Sequence, residues 1–322
     1  MSIVSRLFDA DGTDREVEVD ASVVKGLTDH QLLWADVMGD DERELRRTAE
    51  LFSLEEQSLS NLLKPIGRPR LSVLSDYFEV NVVALGGDDR PVPLDLFAGA
   101  NWVVTVHRDE ITFLGDFRDQ LAGDTELGRI EAPSFLAGLL DWQIGTYFES
   151  VDDLERSVDV LDERALSRSQ DYDERFAVVT DLVRLRHRIG KLRRMLTPHR
   201  AVFAALARPD FEVIATSDSA AHFRAIADRL ERAIDAVENA RDLLIGSFDL
   251  YMTQTAQRTN DVMRILTIVN VVLLPAVVLA GIMGMNFNVG FFENANLFWV
   301  VLAVMVAIAA ASLALARWRH WL

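Results

Sequence analysis

The sequence predicts an α/β domain followed by long helices and two C-terminal transmembrane helices. Three observations predict it. Short β-rich runs alternate with helical stretches before residue 130, helical spacing runs almost unbroken from Pro133, and two apolar stretches of spanning length follow residue 264.

The α/β reading rests on particular segments. Phe78-Glu79-Val80-Asn81-Val82-Val83-Ala84-Leu85 reads as a strand ended by Gly86-Gly87-Asp88-Asp89, and Asn101-Trp102-Val103-Val104-Thr105-Val106 as another. Asp40 to Leu63 has helical spacing and stops before Pro65. Such an alternation of helix and strand is an α/β pattern. Beyond it, one helix is expected from Ser134 to about Arg168 and a second from Tyr172 to about Ala207, closed by Pro209. A third, capped by Ser217 or Asp218, meets no strong breaker before Pro275, which a membrane helix tolerates. An unbroken helix over about 218–283 is therefore expected, roughly 100 Å long. It would transmit rearrangements along its length.

Ile265 to Met283 is 19 residues without a charge, and Leu297 to Ala316 is 20 residues with Ser312 as the only hydroxyl. Each matches the roughly 20 residues that cross a bilayer core. Arg258 and Arg264 precede the first span, while Arg317, Arg319 and His320 follow the second. The intervening segment has neither Lys nor Arg, so it is expected outside, with both termini in the cytoplasm. Trp299, Trp318 and Trp321 fall where interfacial aromatics belong. The first residues, Met1 to Arg6, open no apolar run of signal-peptide length.

Charge is segregated. All but two of the 50 acids and all but three of the 33 Lys and Arg lie before residue 261. So acidic a polar part repels phosphate backbones, which argues against nucleic acid as a partner. It suits either cation gathering or plain solubility. With no cysteine, disulfides and thiolate metal sites are excluded.

The first span has a distinct face. Asn260, Met263, Thr267, Asn270, Leu274, Val277 and Gly281 recur at alternating steps of three and four, which places them on one side of a helix. Both polar side chains of the span, Thr267 and Asn270, lie there. An amide in mid-membrane faces protein or water. This face lines a pore or hydrogen-bonds a neighbouring helix. Two spans cannot enclose a pore, so a pore requires several copies. On the same helix Asp228, Glu231, Asp235, Glu238, Asp242 and Asp249 form an acidic stripe, while Arg184, Arg186, His187, Arg188, Lys191, Arg193 and Arg194 form a basic run before it. The two pair, the stripe is solvated, or part of it (Asp228, Glu231 and Asp235) binds Mg2+ against a neighbouring subunit.

The first span closes with Ala280-Gly281-Ile282-Met283-Gly284-Met285-Asn286-Phe287. Gly284-Met285-Asn286 at that place resembles the signature of the CorA magnesium transporter family. Asn260 to Thr267 resembles the family's entry into its first span, Leu274-Pro275 its proline site, Asn101 to His107 a family strand, and Arg317 to Leu322 its short tail. The resemblance is loose before residue 260 and close after it. It implies a funnel-shaped homopentamer that passes Mg2+, with Co2+ or Ni2+ also plausible cargo, down the electrochemical gradient through a cell membrane. Gly284, Met285 and Asn286 would form the outer selectivity filter. Asn260, Met263, Leu266, Leu274 and Gly281 would line the path below, with Met263, Leu266 and Leu274 as apolar constrictions. Cytosolic divalent ions would gate it. Val277 departs from relatives with a hydroxyl there. Glu293, the only acid between the spans, would ring the outer mouth or be solvated.

The expected division is a cytosolic α/β domain over 1–130, a cytosolic long-helix and stalk region over 131–259, the pore-lining first span over 260–286, an extracytoplasmic loop over 287–296, the second span over 297–316 and a cytosolic tail over 317–322. A ZntB-type zinc transporter shares this architecture and is the rival reading; a non-conducting membrane scaffold is a second. An enzyme is not expected, and no catalytic cofactor is implied. His107-Arg108-Asp109 mimics a kinase catalytic loop, but Leu114 stands where the loop's Asn belongs and no Gly-rich loop precedes it.

Overall fold

A computed structural model describes residues 2–64, 67–121, 126–166, 172–208, 219–285 and 296–318. It divides into two compact units, one of residues 1–164 and 168–247, the other of residues 165–167 and 248–322.

The first unit is built on a seven-stranded mixed sheet of order β2-β1-β3-β7-β6-β5-β4. The strands are β1 (Ser2–Asp9), β2 (Arg15–Glu16), β3 (Gln31–Met38), β4 (Arg70–Val73), β5 (Phe78–Gly86), β6 (Arg90–Ala98) and β7 (Trp102–His107). Only the central β3–β7 pair is parallel; β4 to β7 form an antiparallel meander. The β5–β6 hairpin turns through three residues, Gly87 to Asp89, with Asp88 and Asp89 both at positive φ (56° and 53°), a region that Asp enters more readily than most residues.

Side chains alternate across β3. Leu33, Ala35 and Val37 join Phe52, Tyr77 and Phe97 in a core under α2 (Glu42–Leu51) and α3 (Glu56–Leu63). On the other face Trp34 packs edge-on against Phe117 of α4 (Thr112–Gln120) and at a tilt against Phe135 of α5 (Ala132–Leu166), with centroids 5.7 and 5.6 Å apart. Both faces are thus buried. Asp20 caps α1 (Ala21–Lys25): its carboxylate accepts the Ser22 hydroxyl and the N–H groups of Val23 and Ser22, which together lower its pKa.

Two expected helices are each interrupted. The stretch Asp40 to Leu63 is broken after Leu51, where Ser53 takes φ 53°. The stretch Tyr172 to Ala207 is α6 (Tyr172–Leu196) and α7 (His199–Leu206), because Pro198 has no N–H to give the preceding turn. Pro65, Pro209, Ser217 and Asp218 lie outside the described residues.

The expected long helix is present as α8 (Ser219–Met283), 65 residues with Pro275 inside it. Within the first unit its stripe Phe223, Ile226, Leu230, Ile234, Val237 and Leu244 is buried, at the three-and-four spacing of an amphipathic helix. Arg188 of α6 ties the helices to the sheet, donating to Asp89 in the hairpin turn and to Asp153 of α5. In the second unit the C-terminal part of α8 is joined by α9 (Asn296–Trp318). Both helices are long and apolar enough to cross a membrane.

Candidate functional site

Beyond Ser247 the burial of α8 nearly ceases. Ile268, 9% exposed, is the one hydrophobic residue there that reaches the buried class among those described. Val272, Pro275, Ala276, Leu279 and Met283 are half-buried, and with Ile268 they form one stripe. The second span has a matching stripe: Val301, Met305, Ile308, Ala309, Ser312 and Ala316 are its half-buried positions.

Asn260, Met263, Leu266, Thr267, Asn270, Leu274, Val277 and Gly281 are all exposed. At 100° per residue their face lies roughly opposite the Ile268 stripe. Leu274 is 65% and Val277 67% exposed, values that a core helix would not show. A single chain therefore hides one side of the span and leaves the predicted face open. Thr267 donates its hydroxyl to the carbonyl of Met263 at 2.7 Å, a bond within its own helix.

The C-terminal end of α8 is capped. Gly284 N–H donates to Ala280 O at 3.0 Å and Met285 N–H to Ile282 O at 3.2 Å. A Cβ on Gly284 would come 3.3 Å from the Ala280 carbonyl, so the closing turn favours glycine. Asn286, Glu293 and the loop they bound lie outside the described residues, as do Arg319, His320 and Trp321.

The acidic stripe divides between pairing and exposure. Arg200 of α7 grips Glu231 with two bonds of 2.7 and 2.6 Å and lowers its carboxyl pKa. Arg193 of α6 reaches Glu238 at 2.7 Å. The basic run thus meets the stripe at Glu238, while the partner of Glu231 comes from α7, which helical spacing alone does not separate from α6. Asp228 and Asp235 are exposed and make no ion pair among the described residues, though Asp235 lies in the field of Arg200. No three His, Cys, Asp or Glu side chains among the described residues of one chain come together as a metal site.

His107 has a structural role in the first unit. Its Nε2 lies 3.1 Å from Asp36, and its Nδ1 2.7 Å from the carbonyl of Asp109. Asp36 also accepts from Thr105 and from Arg118. Both imidazole nitrogens face acceptors, and the pairing with Asp36 raises the His107 pKa against its burial. Of the triplet His107-Arg108-Asp109 only His107 is buried; Arg108 and Asp109 are exposed beyond the end of β7.

The sequence profile of the CorA-like Mg2+ transporter proteins matches residues 29–317. The chain belongs to that family. Over 299 residues it is 25% identical to the cobalt/magnesium transport protein CorA of Thermotoga maritima, covering 90% of this chain and 83% of the relative. Over 263 residues it is 25% identical to the zinc transport protein ZntB of an Enterobacter species, covering 78% and 77%. Its fold is that of the complete CorA magnesium transporter structure from Methanocaldococcus jannaschii, with a TM-score of 0.80 over the full length of both chains at 21% identity. CorA-like proteins are transporters, not enzymes, and two C-terminal apolar helices fit a membrane location.

Proposed function

We propose that the chain is one subunit of a homo-oligomeric, pentameric channel that admits Mg2+, with Co2+ or Ni2+ as further cargo, into the cytoplasm. The observation that carries this reading is the open face of α8 from Asn260 to Gly281, opposite the stripe hidden in the single chain. Several copies arranged with these faces inward enclose a path. Gly284, Met285 and Asn286 form its outer filter, where neutral amide oxygens hydrogen-bond the water shell that Mg2+ is slow to shed. Met263, Leu266 and Leu274 are its apolar narrowings, and Glu293 gathers cations at the mouth. Both termini are cytoplasmic, in line with the basic flanks of the spans. Entry is driven by the inside-negative potential, about 2.3 kcal/mol per charge per 100 mV and twice that for a divalent ion.

Regulation rests on the same helix. Asp228, Glu231 and Asp235 bind Mg2+ against an adjacent subunit when the ion is abundant inside, and repulsion between them loosens the ring when it is scarce. Asp228 and Asp235, exposed and outside any ion pair among the described residues, support this; Glu231 must leave Arg200 to take part. Neutralising the three together raises uptake at high internal Mg2+; unchanged uptake rejects these residues as the sensor.

The deciding experiment is uptake into proteoliposomes loaded with a fluorescent Mg2+ indicator. Native protein is expected to admit Mg2+, and Asn286→Ala to abolish entry. Zn2+ entry without Mg2+ entry converts the reading to a zinc transporter, which the ZntB relative keeps in view. Entry of neither ion leaves a membrane scaffold.

A further inference from the structure

Between Arg264 and Gly284 the first span holds two polar side chains, Thr267 and Asn270. They differ in one respect. The Thr267 hydroxyl is satisfied inside its helix by the Met263 carbonyl. The Asn270 carboxamide has no hydrogen-bond partner among the described residues, and it is exposed on the side away from Ile268. A carboxamide facing hydrocarbon is costly, so lipid is an unfavourable neighbour. The second span offers no remedy, because its stripe of half-buried residues is apolar except for Ser312 and Asn270 is not on the hidden side of α8.

Spacing places the amide relative to an axis. The face from Asn260 to Gly281 repeats at a mean of 3.5 residues, the period that keeps one side of a helix turned inward in a left-handed bundle. Asn270 therefore recurs as a ring, about 15 Å along the helix from Asn260. Leu266 and Leu274 stand one turn on either side of it, roughly 6 Å away each.

We propose that the Asn270 carboxamides form an internal way-station for a hydrated divalent cation, between the apolar rings of Leu266 and Leu274. This rests on the pore reading above and adds a second specificity element within the membrane. Each amide oxygen accepts a hydrogen bond from a water of the ion's shell, so the ion crosses two apolar narrowings as two short steps. Neutral amides hold the shell without trapping the charge.

The chain has no cysteine, so a single introduced thiol is unambiguous. Asn270→Cys and the control Val269→Cys, which lies on another face of the helix, are reconstituted as full chains and treated with a cationic methanethiosulfonate reagent. Modification is expected to slow Mg2+ uptake by Asn270→Cys roughly tenfold or more. Excess Mg2+ is expected to slow that modification, and Val269→Cys to be unaffected. In parallel, Asn270→Ser is expected to keep most of the flux, and Asn270→Leu to lose roughly tenfold while reconstituting normally. An unreactive Asn270→Cys, or an Asn270→Leu that conducts at the native rate, overturns the way-station. In either case native Mg2+ entry is intact, which separates this failure from failure of the channel reading, where the native chain admits no divalent ion.

Discussion

His199 Nε2 accepts the backbone N–H of Val83 at 2.9 Å, a bond between residues 116 apart that fastens α7 to the sheet. Val83 stands opposite Pro93 in the β5–β6 ladder, and proline has no N–H to give. Helices supply what the ladder lacks. Tyr147 and Gln143 of α5 both donate to the Val83 carbonyl, at 2.9 and 2.8 Å. One residue of the sheet is thus held by three side chains from two helices, and the helical layer is locked against β5.

Because Nε2 accepts and Nδ1 donates to Leu196, His199 must stay neutral. Burial pushes its pKa down to about 4, against an ordinary 6.5. The unfolded chain then binds a proton that the folded chain refuses, so stability is full above pH 6.5 and is lost as the pH falls toward 4. The loss attributable to this residue is about 3 kcal/mol across that window. Unfolding of the full chain in detergent, followed against pH, is expected to show this loss as a difference between the native protein and His199→Gln. An identical pH dependence in the two proteins refutes it.

The Asp89 carboxylate, 10% exposed, depends on Arg188 and on the Ser150 hydroxyl. Removing the guanidinium leaves a nearly buried charge without its counterion, so Arg188→Met is expected to cost about 3 kcal/mol in denaturant unfolding. Asp89→Asn in the same chain is expected to return part of it. Asp153 is 51% exposed and solvent screens its share, so Asp153→Ala should cost under about 1 kcal/mol. A larger cost for Asp153→Ala than for Arg188→Met contradicts this ordering.

Much of this architecture is legible in the sequence, and the parts that are not fail for identifiable reasons. The strand Phe78–Gly86 and the 65-residue helix declare themselves by composition and by the lack of breakers. Strand β3 is buried on both faces, so it lacks the alternation that marks a half-exposed strand. Strand β6 carries Pro91 and Pro93, residues that argue against a strand until His199, Tyr147 and Gln143 are seen serving Val83 across the ladder. Pro198 is a helix stop that spacing alone overran. The face of the first span from Asn260 to Gly281 is readable because a helical period is local; the number of copies in an oligomer is not, since one chain's surface does not count its neighbours.

Gly128 packs where a methyl group has no room. An added Cβ would lie 2.5 Å from Ala10 N and 2.6 Å from His30 O, atoms that hydrogen-bond each other at 3.0 Å. Both are backbone, so neither swings aside as a side-chain end would. Gly128→Ala is expected to lower stability by about 2–4 kcal/mol through displacement of the Ala10–His30 backbone pair that extends the β1–β3 ladder. Equal unfolding midpoints for the two proteins rule this out.

Asp95 runs the other way from His199. It is 8% exposed, its side chain bonded to Asn81, and burial lifts its pKa to about 6 from an ordinary 3.8, with Glu79 adding to the rise and Arg70 and Arg108 opposing it. Here the folded chain keeps a proton that the unfolded chain has released, so stability is greatest below pH 3.8 and falls as pH rises toward 6. Asp95→Asn is therefore expected to stabilise the protein at pH 7 by up to about 3 kcal/mol and to make little difference at pH 4. Between about pH 4 and 6 the two buried groups tilt the profile in opposite directions with equal slope, and in the native chain they nearly cancel. The single variants separate them. His199→Gln should lose stability as pH rises through that window, because Asp95 then acts alone, and Asp95→Asn should gain it, because His199 does. Parallel profiles for the two variants disprove the opposition, whatever the native protein shows.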